Sequence, residues 1–205
     1  MKKLFTLLFL FAFSIAANAG GKYGYCKLIF VDGTSRIGLV ETSFDKEVRF
    51  KSSDDAEPEK IPSEKLRTLS FLKEDGKTPS IEFDYIKIYL GWGQTRISKD
   101  YGWFEVLQRG FATLYLKRTE MRGSIYNNTS AGFLDYYVIR DGEPAAKVIA
   151  NVSSFNNNQT FHAKAPLYFA DYPELAEKIK SKEYTWKELG TVVRKYNEWA
   201  AANKK

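Results

Sequence analysis

The chain has 205 residues and a formal net charge of +6, with one cysteine and one histidine. That length suffices for one domain with a substantial core, while the lone Cys26 and His162 exclude an intrachain disulfide and a zinc site built from histidines. The positive excess is modest and no basic cluster is interleaved with aromatics, so nucleic acid is not the implied partner.

Residues 1–19 have the pattern of a secretory signal peptide. Lys2 and Lys3 precede an apolar run from Leu4 to Ala16, and Ala17-Asn18-Ala19 supplies small residues for cleavage. The run is shorter than the roughly 20 residues that span a bilayer as a helix. Residues 20–205 are then expected as a single β-rich domain, exported to the periplasm, cell surface or medium, with no transmembrane segment after signal removal. Cleavage lowers the charge to about +4.

The mature chain opens with strand patterning over Lys22–Val31, a turn at Asp32-Gly33 and a return strand over Ser35–Thr42, where Gly38 marks a bulge or a close backbone approach. Glu47–Lys51 is a third strand, Ser52–Glu59 a loop, and Leu66, Leu69 and Phe71 continue the sheet as far as the turn at Glu74-Asp75-Gly76. Alternation over Ile81–Leu90 changes phase and suggests a bulge at Asp84. Further strands are expected over Phe111–Lys117, Leu134–Ile139 and Ala146–Val152, with Thr119–Gly132 as a loop and Asp141-Gly142 as a turn. Cys26 lies in a strand-like run and reads as a small core residue.

Beyond Val152 the period changes. Residues 153–166 read as a linker and 167–200 as a helical hairpin. Asp171 is the expected N-cap of its first helix, with Glu174 completing a capping box, Pro173 in the first turn, and Leu175 and Ile179 on one face. Thr185 caps the second helix with Glu188, and Tyr184 staples onto Leu189. Trp186, Leu189, Val193, Tyr196 and Ala200 form an apolar stripe, so Trp186 and Leu189 are expected to be buried against the sheet. The fold class is mainly β with a small α part: an antiparallel barrel or sandwich of about eight to ten strands, closed by a C-terminal αα-hairpin.

Between Gly91 and Gly110, Trp92, Tyr101 and Trp103 stand among glycines. They are core rings of a tightly curved sheet or an aromatic platform for a sugar, and as a platform they are the candidate ligand-binding residues. Catalytic signatures do not appear: there is no Gly-x-Ser-x-Gly elbow or Walker loop, and Gly91-Trp92-Gly93 lacks the third glycine of a dinucleotide fingerprint. His162 reads as a surface residue and Asp54-Asp55 as a solvated run. No catalytic residue, metal site or cofactor is implied.

The segment Tyr168-Phe169-Ala170-Asp171-Tyr172-Pro173-Glu174-Leu175, with Ile179, resembles the ending of a group of small exported bacterial proteins of unknown function. Members of that group open with a signal peptide and a strand-turn-strand unit like Phe30-Val31-Asp32-Gly33 followed by Gly38, and finish with two short helices. The resemblance implies a shared fold and transfers no active site. Here Asp171 stands second before the proline and the segment has no cysteine. The leading functional expectation is an exported non-catalytic module that binds an envelope glycan or protein partner. A structural or stress-related envelope protein is the alternative, followed by a carboxylate-dependent hydrolase, whose two acids need no linear motif. Oligomeric state is left open.

Overall fold

The computed structural model describes residues 23–91, 93–121, 131–152 and 158–204. The signal-peptide segment 1–19 and Trp92 lie outside these residues. Ten strands form one antiparallel sheet in the order β12-β11-β10-β9-β6-β5-β1-β2-β3-β4. They are β1 (Tyr23–Phe30), β2 (Ser35–Glu41), β3 (Glu47–Lys51), β4 (Glu59–Pro62), β5 (Leu66–Leu72), β6 (Pro79–Ile86), β9 (Gly102–Gln108), β10 (Ala112–Met121), β11 (Ala131–Arg140) and β12 (Lys147–Val152). The short strands β7 (Tyr89–Leu90) and β8 (Arg96–Ile97) pair as a separate ribbon. The expected mainly β class with C-terminal helices is the one observed. The sheet, however, is not closed: β12 and β4 remain its two ends.

Hairpin chemistry accounts for the first turn. Gly33 has a φ of +87°, and the Asp32 carboxylate accepts from the Thr34 N–H at 2.9 Å and the Thr34 hydroxyl at 2.7 Å. Cross-strand pairing then sets the faces, because directly opposed residues project to the same side. One row of such pairs, Leu28, Leu69, Phe83, Glu105, Leu116, Tyr136 and Ala150, crosses from β1 to β12.

Two cores share that face. At the β1–β5 end the sheet curls around Cys26, Leu28, Val40, Phe50, Leu66 and Leu69. At the β10–β12 end Leu114, Val138 and Ile149 are covered by helices α1 (Gln159–Tyr168), α2 (Pro173–Lys180) and α3 (Leu189–Asn203), which bury Phe161, Phe169, Ile179, Val193 and Tyr196. On the opposite face Phe104, Tyr115 and Tyr137 form a smaller cluster with Ile86 and Ile88.

Four expectations are corrected. Within the expected linker 153–166, the residues from Gln159 onward are helix α1, whose Phe161, Ala165 and Tyr168 are buried. The helical part is therefore three helices, not a hairpin. The loop expected over Thr119–Gly132 is shorter, since Thr119 pairs with Phe133 and Met121 with Ala131. Asp84 is in register with Thr68 and Phe104 and makes no bulge; the strand ends at Ile86. Asp171 does not cap α2, whose N-cap is Tyr172 without a side-chain bond. The Asp171 carboxylate instead accepts from Arg140 at 3.0 Å, the Tyr196 hydroxyl at 2.8 Å and Lys204 at 2.6 Å, while Glu174 pairs with Lys178 at 2.8 Å.

The Thr185 capping box is present. Glu188 accepts from the Thr185 N–H at 2.8 Å and the Thr185 hydroxyl accepts from the Lys187 N–H at 3.3 Å, ahead of the 3-10 turn Trp186–Glu188 that leads into α3. Leu189 is buried as expected. Trp186 is only half-buried, lying 6.0 Å from the Tyr136 ring.

Candidate functional site

Between the curled core and the helix-covered core, the shared face is left partly open. The connection from β2 to β3 crosses this gap and lays Phe44 over it. Phe44 meets Phe83 edge to face at 5.2 Å, Trp103 edge to face at 5.6 Å, and Phe71 in a stacked arrangement at 6.0 Å. From Trp103 the rings continue to Tyr85 at 4.9 Å and from Tyr85 to Tyr101 at 5.5 Å. The result is an aromatic ladder from an exposed tyrosine to the floor of a groove.

The groove has two compartments on either side of Phe44, Ile81 and Phe83. The first, about 400 Å³, is bounded by Tyr25, Thr42, Phe71 and Ser80. Its depth depends on Gly24, because a Cβ there would stand 3.0 Å from the Phe71 ring. The second, about 250 Å³, reaches Trp103, Glu105, Leu116 and Arg118. Glu105 is the single charged member of the cross-strand row, and it is neutralised by Arg118 at 3.0 Å. Burial pushes the Tyr136 phenol up from its ordinary range, with the Arg118 charge opposing the rise, and burial does the same at Tyr85. Aromatic and aliphatic side chains dominate the groove, with the Glu105–Arg118 ion pair and Lys117 at its smaller compartment, so it suits a ligand that presents an apolar face.

The residues singled out from the sequence are distributed unequally. Tyr101 is 51% exposed, stacks on Tyr85 and has the Lys87 ammonium 4.8 Å from its ring centre. Trp103 is a core ring: it is 5% exposed, its indole N–H donates to the Asp45 carbonyl and the Ser63 hydroxyl, and it reaches the wall of the second compartment from inside the sheet. Phe44, Phe71 and Phe83 were missed, since each sits in an ordinary strand or loop pattern and only the curl of the sheet gathers them. A signal was available in the spacing of Phe83 and Tyr85, whose face continues into the glycine-rich passage.

Other chemistry-bearing side chains have structural surroundings. Asp84 accepts from Thr68 at 2.7 Å, Tyr115 at 2.9 Å and Arg109 at 2.8 and 3.1 Å, which satisfies a buried carboxylate. Burial pushes the Cys26 thiol up to about 12, partly offset by a backbone hydrogen bond from Ser70, so it is held protonated. His162 is not a linker residue; it lies on α1 with Nε2 2.9 Å from the Tyr184 carbonyl. Among the described residues no group of three or more His, Cys, Asp or Glu side chains could hold a metal ion, and no helix is long and apolar enough to cross a membrane. Compared with protein-family models, curated proteins and solved structures, the chain gives no match in any of the three.

Proposed function

We propose that the protein is an exported, non-catalytic binding module of a bacterial envelope, and that a partner chain inserts apolar side chains into the Phe44–Phe83 groove. The observation that carries the reading is the aromatic ladder that ends in an open, phenylalanine-walled groove. Monomeric proteins rarely leave such surface open without a use. Tyr25, Thr42 and Ser80 bring the uncharged polar groups of its larger compartment, whose other lining is Gly24, Leu72, Ile81 and three phenylalanines, which suits apolar side chains better than a hydroxyl-rich sugar. Export rests on the lysine-led apolar leader and its Ala17-Asn18-Ala19 cleavage pattern, and the resemblance of the Tyr168–Leu175 segment to small exported proteins supports the same location.

The test combines location with binding. Mass spectrometry of the envelope and secreted fractions should find a mature chain starting at Gly20. Wild-type protein should be retained on immobilised envelope proteins, and Phe44→Ala should lose retention while costing only about 1–2 kcal/mol, as befits a half-buried ring. Retention on envelope polysaccharide alone, abolished by Tyr101→Ala, would transfer the reading to a glycan. No retention on either material would overturn it.

A further inference from the structure

Helix α3 carries Tyr196 and Trp199 at a helical spacing that puts both rings on one face, and Phe111, just ahead of β10, stands beside them with its ring 6.3 Å from that of Tyr196. Tyr172 lengthens this wall by stacking on Trp199 at 5.0 Å. The space between the rings holds a cation of the chain itself. Lys204 follows the last residue of α3, and its ammonium lies 5.0 Å from the Phe111 ring centre, 5.6 Å from that of Trp199 and 5.8 Å from that of Tyr196, while donating to Asp171 at 2.6 Å. Ring faces and a carboxylate around one positive charge make an aromatic box.

Lys204 fits this box imperfectly. An ammonium has three N–H donors and a strong hold on water, and the acceptor it meets among the described residues is one Asp171 oxygen, so part of its hydration is given up to ring faces. Asp171 does not depend on the lysine for neutralisation: Arg140 pairs with its other oxygen at 3.0 Å, and the Tyr196 hydroxyl donates to the shared one at 2.8 Å. Lys204 is also lightly held. Its backbone is extended beyond the helix, its N–H keeps one helical bond to the Ala200 carbonyl at 2.7 Å, and its side chain is 32% exposed. Rotation about its own side-chain bonds is enough to vacate the box.

We infer that the box is a binding site for a methylated ammonium group, and that Lys204 is its built-in competitor, closing the site until a ligand displaces it. A trimethylammonium head has no N–H to satisfy and presents its charge through methyl groups that pack on ring faces, so it gives up less on entry than the lysine does. Free choline and choline lipids carry the same head.

Choline is the probe, titrated into the mature protein while the Trp199 indole signal is followed by NMR. Saturable shifts are expected. Lys204→Ala empties the box and leaves Arg140 on Asp171, and it should bind choline about tenfold more tightly than wild type, the gain expected when a competitor fills the site about nine-tenths of the time. In that variant 3,3-dimethylbutanol, which has the shape without the charge, should bind about tenfold more weakly than choline. Adding Phe111→Leu, which keeps an apolar side chain and removes a ring face, should weaken choline binding several-fold. Co-sedimentation of Lys204→Ala with phosphatidylcholine vesicles, reversed by free choline, assigns the head to a lipid; choline binding without co-sedimentation assigns it to a soluble ligand. Equal choline affinity in wild type and Lys204→Ala, equal affinity for the uncharged analogue, or no saturation of Lys204→Ala up to about 50 mM would each overturn the inference. None of these outcomes bears on the aromatic groove, with which the box shares no residue.

Discussion

The indole N–H of Trp103 donates to the Ser63 hydroxyl at 3.1 Å, and that hydroxyl donates in turn to the Asp45 carbonyl at 2.6 Å. Trp103 is on β9, Asp45 follows Phe44 in the β2–β3 connection, and Ser63 follows β4, so one side chain ties three separated parts of the sheet across its concave interior. A backbone bond from the Ser63 N–H to the Lys46 carbonyl at 2.9 Å holds the same junction between β4 and the β2–β3 connection, and Trp103 extends it to β9. Trp103→Ala should cost about 3–5 kcal/mol, while Trp103→Phe keeps most of the packing and loses the hydrogen bonds, about 1–3 kcal/mol. Urea denaturation measures both, and an alanine variant as stable as wild type would refute the tie.

Helix α3 is fixed to the sheet by a second polar contact. The Asn197 side chain accepts from the Ala112 N–H at 2.7 Å and donates to the Ala112 carbonyl at 3.0 Å, completing the backbone of a fully buried residue at the start of β10. Asn197→Ala leaves both backbone groups without partners, so a loss of about 2–4 kcal/mol is expected. Asn197→Asp should keep the acceptor only and fall between. Hydrogen exchange at the Ala112 amide should accelerate in the alanine variant.

What the sequence disclosed and what it hid follow from the range of the interactions concerned. Local chemistry was legible: Asp32-Gly33 and Asp141-Gly142 are turns, and Thr185 with Glu188 is a capping box. Strand β9 was not legible as a strand because it is central, with Trp103 and Phe104 buried on opposite faces, so alternation disappears. Helix α1 was obscured by Pro166 and by the asparagine-rich residues before it, although Phe161, Ala165 and Tyr168 kept helical spacing. Asp171 had every local mark of an N-cap, yet Arg140, from the sheet, and Lys204, from the chain end, claim its carboxylate. Of the candidate site, the sequence pointed to Tyr101 and Trp103 but not to the phenylalanines that the curl brings beside them.

The Asp171 network has a pH signature. Burial alone would raise its carboxyl, but hydrogen bonds from Lys204 and Tyr196 and the Arg140 charge outweigh it and hold the group below its ordinary value of 3.8. A folded-state value lower than the unfolded one means stabilisation that is fully present above the unfolded value and lost as pH falls through the folded one. Stability of the wild type should therefore decline below about pH 4 through this group. Asp171→Asn should be less stable at neutral pH and show a shallower decline on acidification. Parallel acid-dependent decline in the two proteins would remove Asp171 from the account.

Gly38 tests the close approach that the sequence suggested for β2. It pairs with Cys26 on β1, and a Cβ built on it would lie 2.7 Å from the Phe50 ring and closer still to the Lys51 carbonyl oxygen. Neither neighbour can retreat cheaply, because Phe50 is buried in the curled core with Arg36 over its face at 4.3 Å, and Lys51 is backbone-paired with Leu39. Gly132 on β11 is the control: among the described residues nothing lies within 4 Å of its added Cβ, and its φ is outside the left-handed range. Gly38→Ala should therefore cost about 1–3 kcal/mol or more by forcing the β2–β3 pair apart. Gly132→Ala should be neutral or stabilise by up to about 1 kcal/mol by restricting the unfolded chain. Thermal melts of the two variants decide the matter: if both shift equally, the steric account of Gly38 fails and only the loss of glycine's backbone freedom is being measured.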